Sequence, residues 1–170
     1  IAGWSEQDVD DRVAIALEGV FRPYERHADA LLARLLNMEK DRVAFLVAEV
    51  LRFDSERDEF RIAAVENDLD AMLAGVRLRL RIDRIDRLDD GSVAILDYKT
   101  GSGRKFLDSN GEPADAQLVV YAIAAAEPVA ALGFYNVDSR KTALDASGRD
   151  VMGADAWQEA LQRWSRSIEN

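Results

Sequence analysis

The sequence predicts an α/β fold: a sandwich in which helices cover a mixed central β-sheet, with a helical segment ahead of the sheet. Two observations support this. Apolar residues recur at helical spacing over residues 5–52, and three strand-like segments follow one another between residues 60 and 100. A helix, a strand and a closing helix are then predicted over residues 114–127, 131–137 and 155–168. This order of elements is typical of an α/β sandwich.

The helical segment contains two series of apolar residues. The first series precedes Pro23 and consists of Val13, Leu17, Val20 and Phe21. Proline breaks or kinks a helix, and the second series begins at Leu31 and runs to Val50. We therefore expect a helical segment over residues 1–55 that packs on a core over residues 56–170. This segment is either ordinary core or a packing surface for a neighbouring domain.

The first predicted strand covers residues 60–66 and ends in the carboxylate of Glu66. The next four residues, Asn-Asp-Leu-Asp, are turn-forming, so the chain is expected to leave the sheet there. Glu66 then stands at a strand end. From this position alone, it is either an exposed charge or a group that faces the other acidic residues described below.

The second predicted strand, residues 76–88, alternates apolar and polar residues, the period of a half-buried strand. Ile85 breaks the alternation, which indicates a bulge or bend near residues 83 and 84. The turn-forming residues at 89–92 join this strand to the next one as a hairpin. Three arginines share one face of the strand: Arg77, Arg79 and Arg81. They form either a solvated face paired with acidic neighbours or a basic track that contacts a phosphate backbone.

The third strand, residues 93–100, is apolar until it reaches Asp97 and Lys99, which project from the same face. The hairpin brings Asp83 towards Asp97. Two carboxylates this close repel each other unless a cation lies between them, and hard oxygen ligands suit Mg²⁺ or Mn²⁺. A lysine beside such an ion can activate a water or stabilise charge on a phosphate oxygen. The alternative is a plain Asp97–Lys99 ion pair where a strand leaves the core.

Three motifs follow one another in this part of the chain. They are Ile-Asp-Arg-Ile-Asp at 82–86, Ile-Leu-Asp-Tyr-Lys-Thr-Gly at 95–101 and Gln-Leu-Val-Val-Tyr-Ala at 117–122. Their order and spacing resemble the nuclease domain of RecB/AddB-type proteins in the PD-(D/E)XK superfamily, over about residues 49–126. The resemblance implies a restriction-endonuclease-like α/β/α sandwich. It also implies a Mg²⁺-dependent deoxyribonuclease, an exonuclease, that acts in DNA repair or recombination.

The resemblance also assigns roles to the residues of the hairpin. It implies that Asp83 and Asp97 bind the metal ion, together with the backbone carbonyl of Tyr98. Lys99 is then the catalytic lysine. One departure lies nearby: Leu80 stands where the family usually has glycine, which alters backbone packing but removes no catalytic group.

Four further residues are interpreted against the same family. Gln117 and Tyr121 match its Q-x-x-x-Y helix, which flanks the active site, and they share a helix face because they are four residues apart. Glu66 corresponds to a supporting glutamate near the acids. His27, the sole histidine, lacks the glycine context of the family's metal-binding histidine and is expected to be solvated. The family's histidine helix is expected to lie upstream of this fragment.

The amino-acid composition excludes several kinds of site and of protein. The 170 residues contain no cysteine, which excludes disulfides, thiolate zinc sites and the iron–sulfur cluster of some relatives. There is no apolar run long enough for a membrane span and no signal peptide, so a cytoplasmic protein is expected.

The formal charge of −10 disfavours tight, autonomous DNA binding. We therefore expect DNA as substrate and a helicase-like or DNA-clamping region of the same protein or complex as partner. The alternative is a non-catalytic DNA-guiding or helicase-docking module with the same fold.

Overall fold

The computed structural model describes three stretches of the chain: residues 4–101, 103–138 and 142–169. The chain divides into two compact units, one of residues 1–57 with 137–142 and the other of residues 58–136 with 143–170. The packing of a 1–55 segment on a 56–170 core stays a prediction. Within the described residues, no helix has the length and apolar character needed to cross a membrane.

The first unit contains two helices, α1 (Glu6–Glu25) and α2 (Ala30–Ser55). Ser5 caps α1 in a capping box: its hydroxyl accepts a hydrogen bond from the backbone N–H of Asp8, and the Asp8 carboxylate accepts one from the backbone N–H of Ser5. Asp29 caps α2 through the backbone N–H of Leu32. Both helices therefore begin at residues whose side chains satisfy free backbone donors.

The two helices pack along one stripe of α1. Val9, Val13, Leu17 and Phe21 recur every four residues and are buried, and Ala48 of α2 packs against them. Pro23 lies inside α1, which continues for two residues beyond it. His27 is exposed in the turn between the helices, so its predicted solvation is confirmed.

The second unit is built on a five-stranded sheet in the order β1-β2-β3-β4-β5. Its strands are β1 (Phe60–Leu73), β2 (Val76–Leu88), β3 (Val93–Thr100), β4 (Val129–Val137) and β5 (Ala143–Gly148). The pairs β1–β2, β2–β3 and β4–β5 are antiparallel. The helix α3 (Gln117–Ala124) connects β3 to its neighbour β4, and the sheet is mixed. The short helix α4 (Arg149–Met152) and the long helix α5 (Ala154–Glu169) close the chain.

The predicted turn at residues 67–70 is wrong, because β1 continues through it. Asp68 pairs with Arg81 and Asp70 with Arg79 across β1 and β2, so each acidic residue faces an opposite charge. The bulge is also displaced from its predicted place. The register shifts on β1 between Ile62 and Ala64 rather than on β2 near residues 83 and 84.

The core of this unit lies between the sheet and α3 and α5. Trp157 and Trp164 of α5 are buried and meet edge-on at 5.8 Å between ring centroids, and Phe106 packs against Trp164 at the same distance. The Trp157 indole N–H donates to the carbonyl of Val129 at 2.8 Å, which ties α5 to the start of β4. The predicted closing helix is therefore confirmed, and its two tryptophans anchor it to the core.

Candidate active site

The β2–β3 hairpin brings Asp83 and Asp97 together. The ladder runs from Arg87 opposite Val93 to Arg84 opposite Leu96, and its next step would place Asp83 opposite Asp97. At that step the backbone N–H of Tyr98 donates to Asp83 Oδ2 at 2.9 Å. A carboxylate thus occupies the place of a backbone acceptor, and its charge lies beside that of Asp97.

Asp97 is a buried carboxylate with little compensation. It is 3% exposed, and Lys99 Nζ lies 2.6 Å from its Oδ2. Lys99 is the one hydrogen-bond donor that the described residues bring to that oxygen. Burial raises the pKa of the Asp97 carboxyl above its usual range, and the charges of Asp83 and Asp115 raise it further against the opposing effect of Lys99. The site therefore holds more negative charge than Lys99 neutralises.

Asp115 is a site residue that the sequence analysis missed. It lies two residues before α3, and its Oδ1 accepts a hydrogen bond from the backbone N–H of Gln117 at 2.9 Å. Its charge is close enough to Asp97 to raise the pKa of that carboxyl. The Asp-x-Gln spacing at the start of the predicted helix is the one sequence signal that could have pointed to it.

Lys99 is held from three sides. Its side chain is 18% exposed, and besides Asp97 it contacts Gln117 Oε1 at 3.5 Å and the face of Phe134, whose ring centroid lies 5.1 Å from Nζ. The aromatic face and the amide oxygen both favour a positive charge. The ammonium group is consequently oriented towards the carboxylates.

Gln117 and Tyr121 connect this lysine to β2. Gln117 Nε2 donates to the Tyr121 hydroxyl at 2.6 Å, and that hydroxyl donates to the backbone carbonyl of Arg81 at 2.6 Å. Tyr121 is 4% exposed. The predicted shared face of these two residues is present, and the chain of hydrogen bonds runs from Lys99 to a point two residues before Asp83.

A buried ion pair lies on the other face of the hairpin. Arg84 makes a bidentate contact with Asp86, at 2.7 Å from Nε to Oδ1 and 3.1 Å from the second terminal nitrogen to Oδ2. A third donor of Arg84 reaches the Tyr98 hydroxyl at 3.0 Å. Arg84 and Asp86 are 1% and 0% exposed. Tyr98 is therefore held twice. Arg84 binds its hydroxyl on one face of the sheet, and the Asp83 side chain binds its backbone N–H from the other face.

A profile of the PD-(D/E)XK nuclease superfamily matches residues 3–170. The chain belongs to the PD-(D/E)XK nuclease superfamily. No curated protein matches the chain. One similar solved structure is described as "Crystal structure of SSO0001"; it is 14% identical, with a TM-score of 0.37, over 95% of this chain and 75% of that one. Likeness at that level carries no inference.

Nucleases of the PD-(D/E)XK superfamily use divalent ions such as Mg²⁺ or Mn²⁺. The described residues contain no group of three or more His, Cys, Asp or Glu side chains arranged to hold an ion. Protein ligands would thus be Asp83, Asp97 and the Tyr98 carbonyl, with water completing the shell, as Mg²⁺ commonly requires. The buried Asp97 carboxylate beside the charge of Asp83, with one lysine to offset the two, fits such an ion.

Glu66 stands apart from this arrangement. It adopts a positive φ of 49°, and its carboxylate lies 2.6 Å from Arg81 in an ion pair whose two side chains are 59% and 64% exposed. Arg77 pairs with Asp70 in the same manner. Arg77 and Arg81 thus match the solvated, acid-paired face that was one of the two alternatives. A supporting role for Glu66 stays a prediction.

Proposed function

We propose that this chain is the nuclease domain of a RecB/AddB-type DNA repair or recombination protein, and that it hydrolyses DNA phosphodiester bonds with Mg²⁺ or Mn²⁺. The observation that carries the proposal is the buried Asp97 carboxylate. It is 3% exposed, contacts Lys99 Nζ at 2.6 Å and lies beside the charge of Asp83, so one lysine faces two carboxylates. Such an arrangement is costly in a resting fold and is characteristic of functional sites.

In this proposal Asp83 and Asp97 hold the divalent ion with the Tyr98 carbonyl. When bound, the ion supplies positive charge at the phosphate and lowers the pKa of a water. Lys99 either orients that water or donates to the phosphate oxygen on which charge grows.

Other residues position these groups rather than react. Gln117 orients Lys99 through its amide oxygen, and Tyr121 anchors Gln117 to β2. Glu66 is proposed as a supporting residue through its ion pair with Arg81, which lies two residues before Asp83.

The formal charge of −10 indicates that the chain needs a partner region to bind DNA tightly. A net negative field slows the encounter with a polyanion, most strongly at low salt. We accordingly propose that a helicase-like or DNA-clamping region of the same protein or complex delivers the strand, and that the isolated chain is a weak nuclease.

The first experiment tests metal binding. Titration calorimetry with Mn²⁺ should show one site in the wild type and none in Asp97→Ala. Asp70→Ala is the matched control, since Asp70 is an exposed carboxylate paired with Arg77. Equal Mn²⁺ affinity in Asp97→Ala and the wild type would remove the proposed metal centre.

The second experiment separates chemistry from binding. Lys99→Ala should retain Mn²⁺ and DNA binding, while cleavage of end-labelled DNA falls by about a hundredfold or more. Lys40→Ala, at a half-buried helix lysine paired with Glu25, is the control. Labels at either end and a circular substrate report polarity and exonuclease action. DNA binding without cleavage by the wild type in either metal would favour the non-catalytic module.

A further inference from the structure

A cavity of about 480 Å³ lies beside the loop that follows β3. Phe134 lines it, and the same ring carries the Lys99 ammonium group on its face. Asp115, which caps the backbone of Gln117, lines the cavity as well. The cavity therefore shares two of its walls with the candidate active site. Its volume is in the range of ordinary ligand pockets.

The acidic side chains that line the cavity are hydrogen-bonded, whereas the basic ones have no ion-pair partner among the described residues. Asp108 accepts backbone hydrogen bonds from Asn110 and Glu112 at 2.7 and 3.0 Å, and Asp115 is engaged by Gln117. Across the described residues, neither Arg104 nor Lys105 has an ion-pair partner, although both line the cavity. The acidic groups hold the loop together, and the two cations are left for a ligand.

The loop that carries these cations is hydrogen-bonded to the sheet. The side chain of Asn136 accepts from the backbone N–H of Arg104 at 2.7 Å and donates to its carbonyl at 2.9 Å. Two residues on, the backbone N–H of Phe106 donates to Asp145 Oδ1 at 2.7 Å. Asn136 is 6% exposed and Phe106 is fully buried. Little ordering is then required when a ligand binds.

We infer that this cavity binds a backbone phosphate of the DNA strand beside the phosphodiester that faces Lys99, with Arg104 and Lys105 as its phosphate contacts. Unpaired cations on a fixed backbone suit an anion, and the arginine fork matches phosphate oxygens. The inference rests on the proposed function, because DNA is the anion that such a site would receive. Arg77 and Arg81 of β2 are poorer candidates, since both are paired with carboxylates.

The test is fluorescence anisotropy of a labelled single-stranded oligonucleotide in Ca²⁺ over a salt series, with its integrity checked on a gel. Arg104→Gln/Lys105→Gln should weaken binding about tenfold or more, since one hydrogen bond to a charged group is worth about that much. The slope of log affinity against log salt should fall by about 1.4, or 0.7 for each lost phosphate contact.

The control Arg77→Gln/Arg79→Gln removes the same charge from β2 and should leave affinity within about twofold of the wild type. An equal loss of DNA affinity in both double variants would mean that overall charge alone determines binding, and the inference would be wrong. A double variant at 104 and 105 that binds as tightly as the wild type would also overturn it.

Cleavage in Mg²⁺ distinguishes this inference from the function on which it rests. The Arg104→Gln/Lys105→Gln variant should raise KM more than it lowers kcat. Binding that depends on Arg104 and Lys105, without any cleavage by the wild type even when the strand-delivering region is present, would support the phosphate site and refute the nuclease. Wild-type cleavage with unchanged binding and KM in the variant would refute the phosphate site and leave the nuclease intact.

Discussion

Removal of the Tyr121 hydroxyl should destabilise the sheet-containing unit and loosen the active site together. In Tyr121→Phe the ring still fills its buried space, but two hydrogen bonds of 2.6 Å are lost. The carbonyl of Arg81 loses its donor from Tyr121, and the Gln117 amide loses its acceptor. The change tests whether the Gln117–Tyr121 pair positions the site or only fills the core.

The magnitude follows from those two bonds. Each is worth about 1 kcal/mol, and a buried acceptor left without a donor costs about 1–3 kcal/mol. Gln117 is partly exposed, so water can replace its bond at little cost. We expect the free energy of unfolding to fall by about 2 kcal/mol, which corresponds to a Tm lower by about 4–8 °C for a chain of this size.

Urea denaturation followed by tryptophan fluorescence measures this change, because Trp157 and Trp164 lie in the same buried cluster as Tyr121. The midpoint should fall at unchanged m value. Tyr24→Phe is the matched control: Tyr24 is 65% exposed, and the effect should stay within about 0.5 kcal/mol. Cleavage by Tyr121→Phe should fall less than by Lys99→Ala. Equal stability of the two tyrosine variants would refute the assigned hydrogen bonds.

Two further predictions concern the charges of the hairpin. A divalent ion needs ionised Asp97, whose pKa is raised by burial, so Mn²⁺ affinity should be full above that pKa and decline about tenfold per pH unit below it. In Asp115→Asn, calorimetry across pH should find the decline beginning at lower pH, because one charge that raises the pKa is gone. In urea denaturation, Arg84→Met should lower the free energy of unfolding by about 3–5 kcal/mol, because the buried Asp86 loses the guanidinium group that binds it. The double variant Arg84→Met/Asp86→Leu should recover part of that loss, because it removes the buried carboxylate as well.

Local periodicity accounts for what the sequence predicted correctly. The two-residue spacing of Asp97 and Lys99 and the four-residue spacing of Gln117 and Tyr121 each place a pair on one face, whatever the rest of the chain does. The hairpin follows from the turn residues at 89–92. These local patterns alone predict that the two acids and the lysine lie close together.

Long-range geometry accounts for what was missed. Asp115 lies close enough to Asp97 to raise the pKa of its carboxyl, although a whole loop separates the two residues in the chain. The Asp-x-Gln spacing points to a helix cap and says nothing of this proximity. Strand β5 has the sequence Ala-Leu-Asp-Ala-Ser-Gly, which is poor in strand-forming residues. It is a strand because β4 approaches it closely: a Cβ added to Gly133 would lie 2.5 Å from the Cβ of Ala146.

The buried pair of Arg84 and Asp86 has a consequence for how the hairpin assembles. Side chains alternate between the two faces of β2, so a slip of one residue against β3 would exchange every face. Arg84 would then turn towards Asp97, and Asp83 would enter the space where Tyr98 and Asp86 now satisfy the guanidinium. Such a slip would leave an unpaired charge in the protein interior, at a cost of about 3–5 kcal/mol. The Arg84–Asp86 pair thereby fixes the register of β2 against β3. The proposed metal ligands Asp83 and Asp97 lie side by side on one face because this ion pair forms on the other.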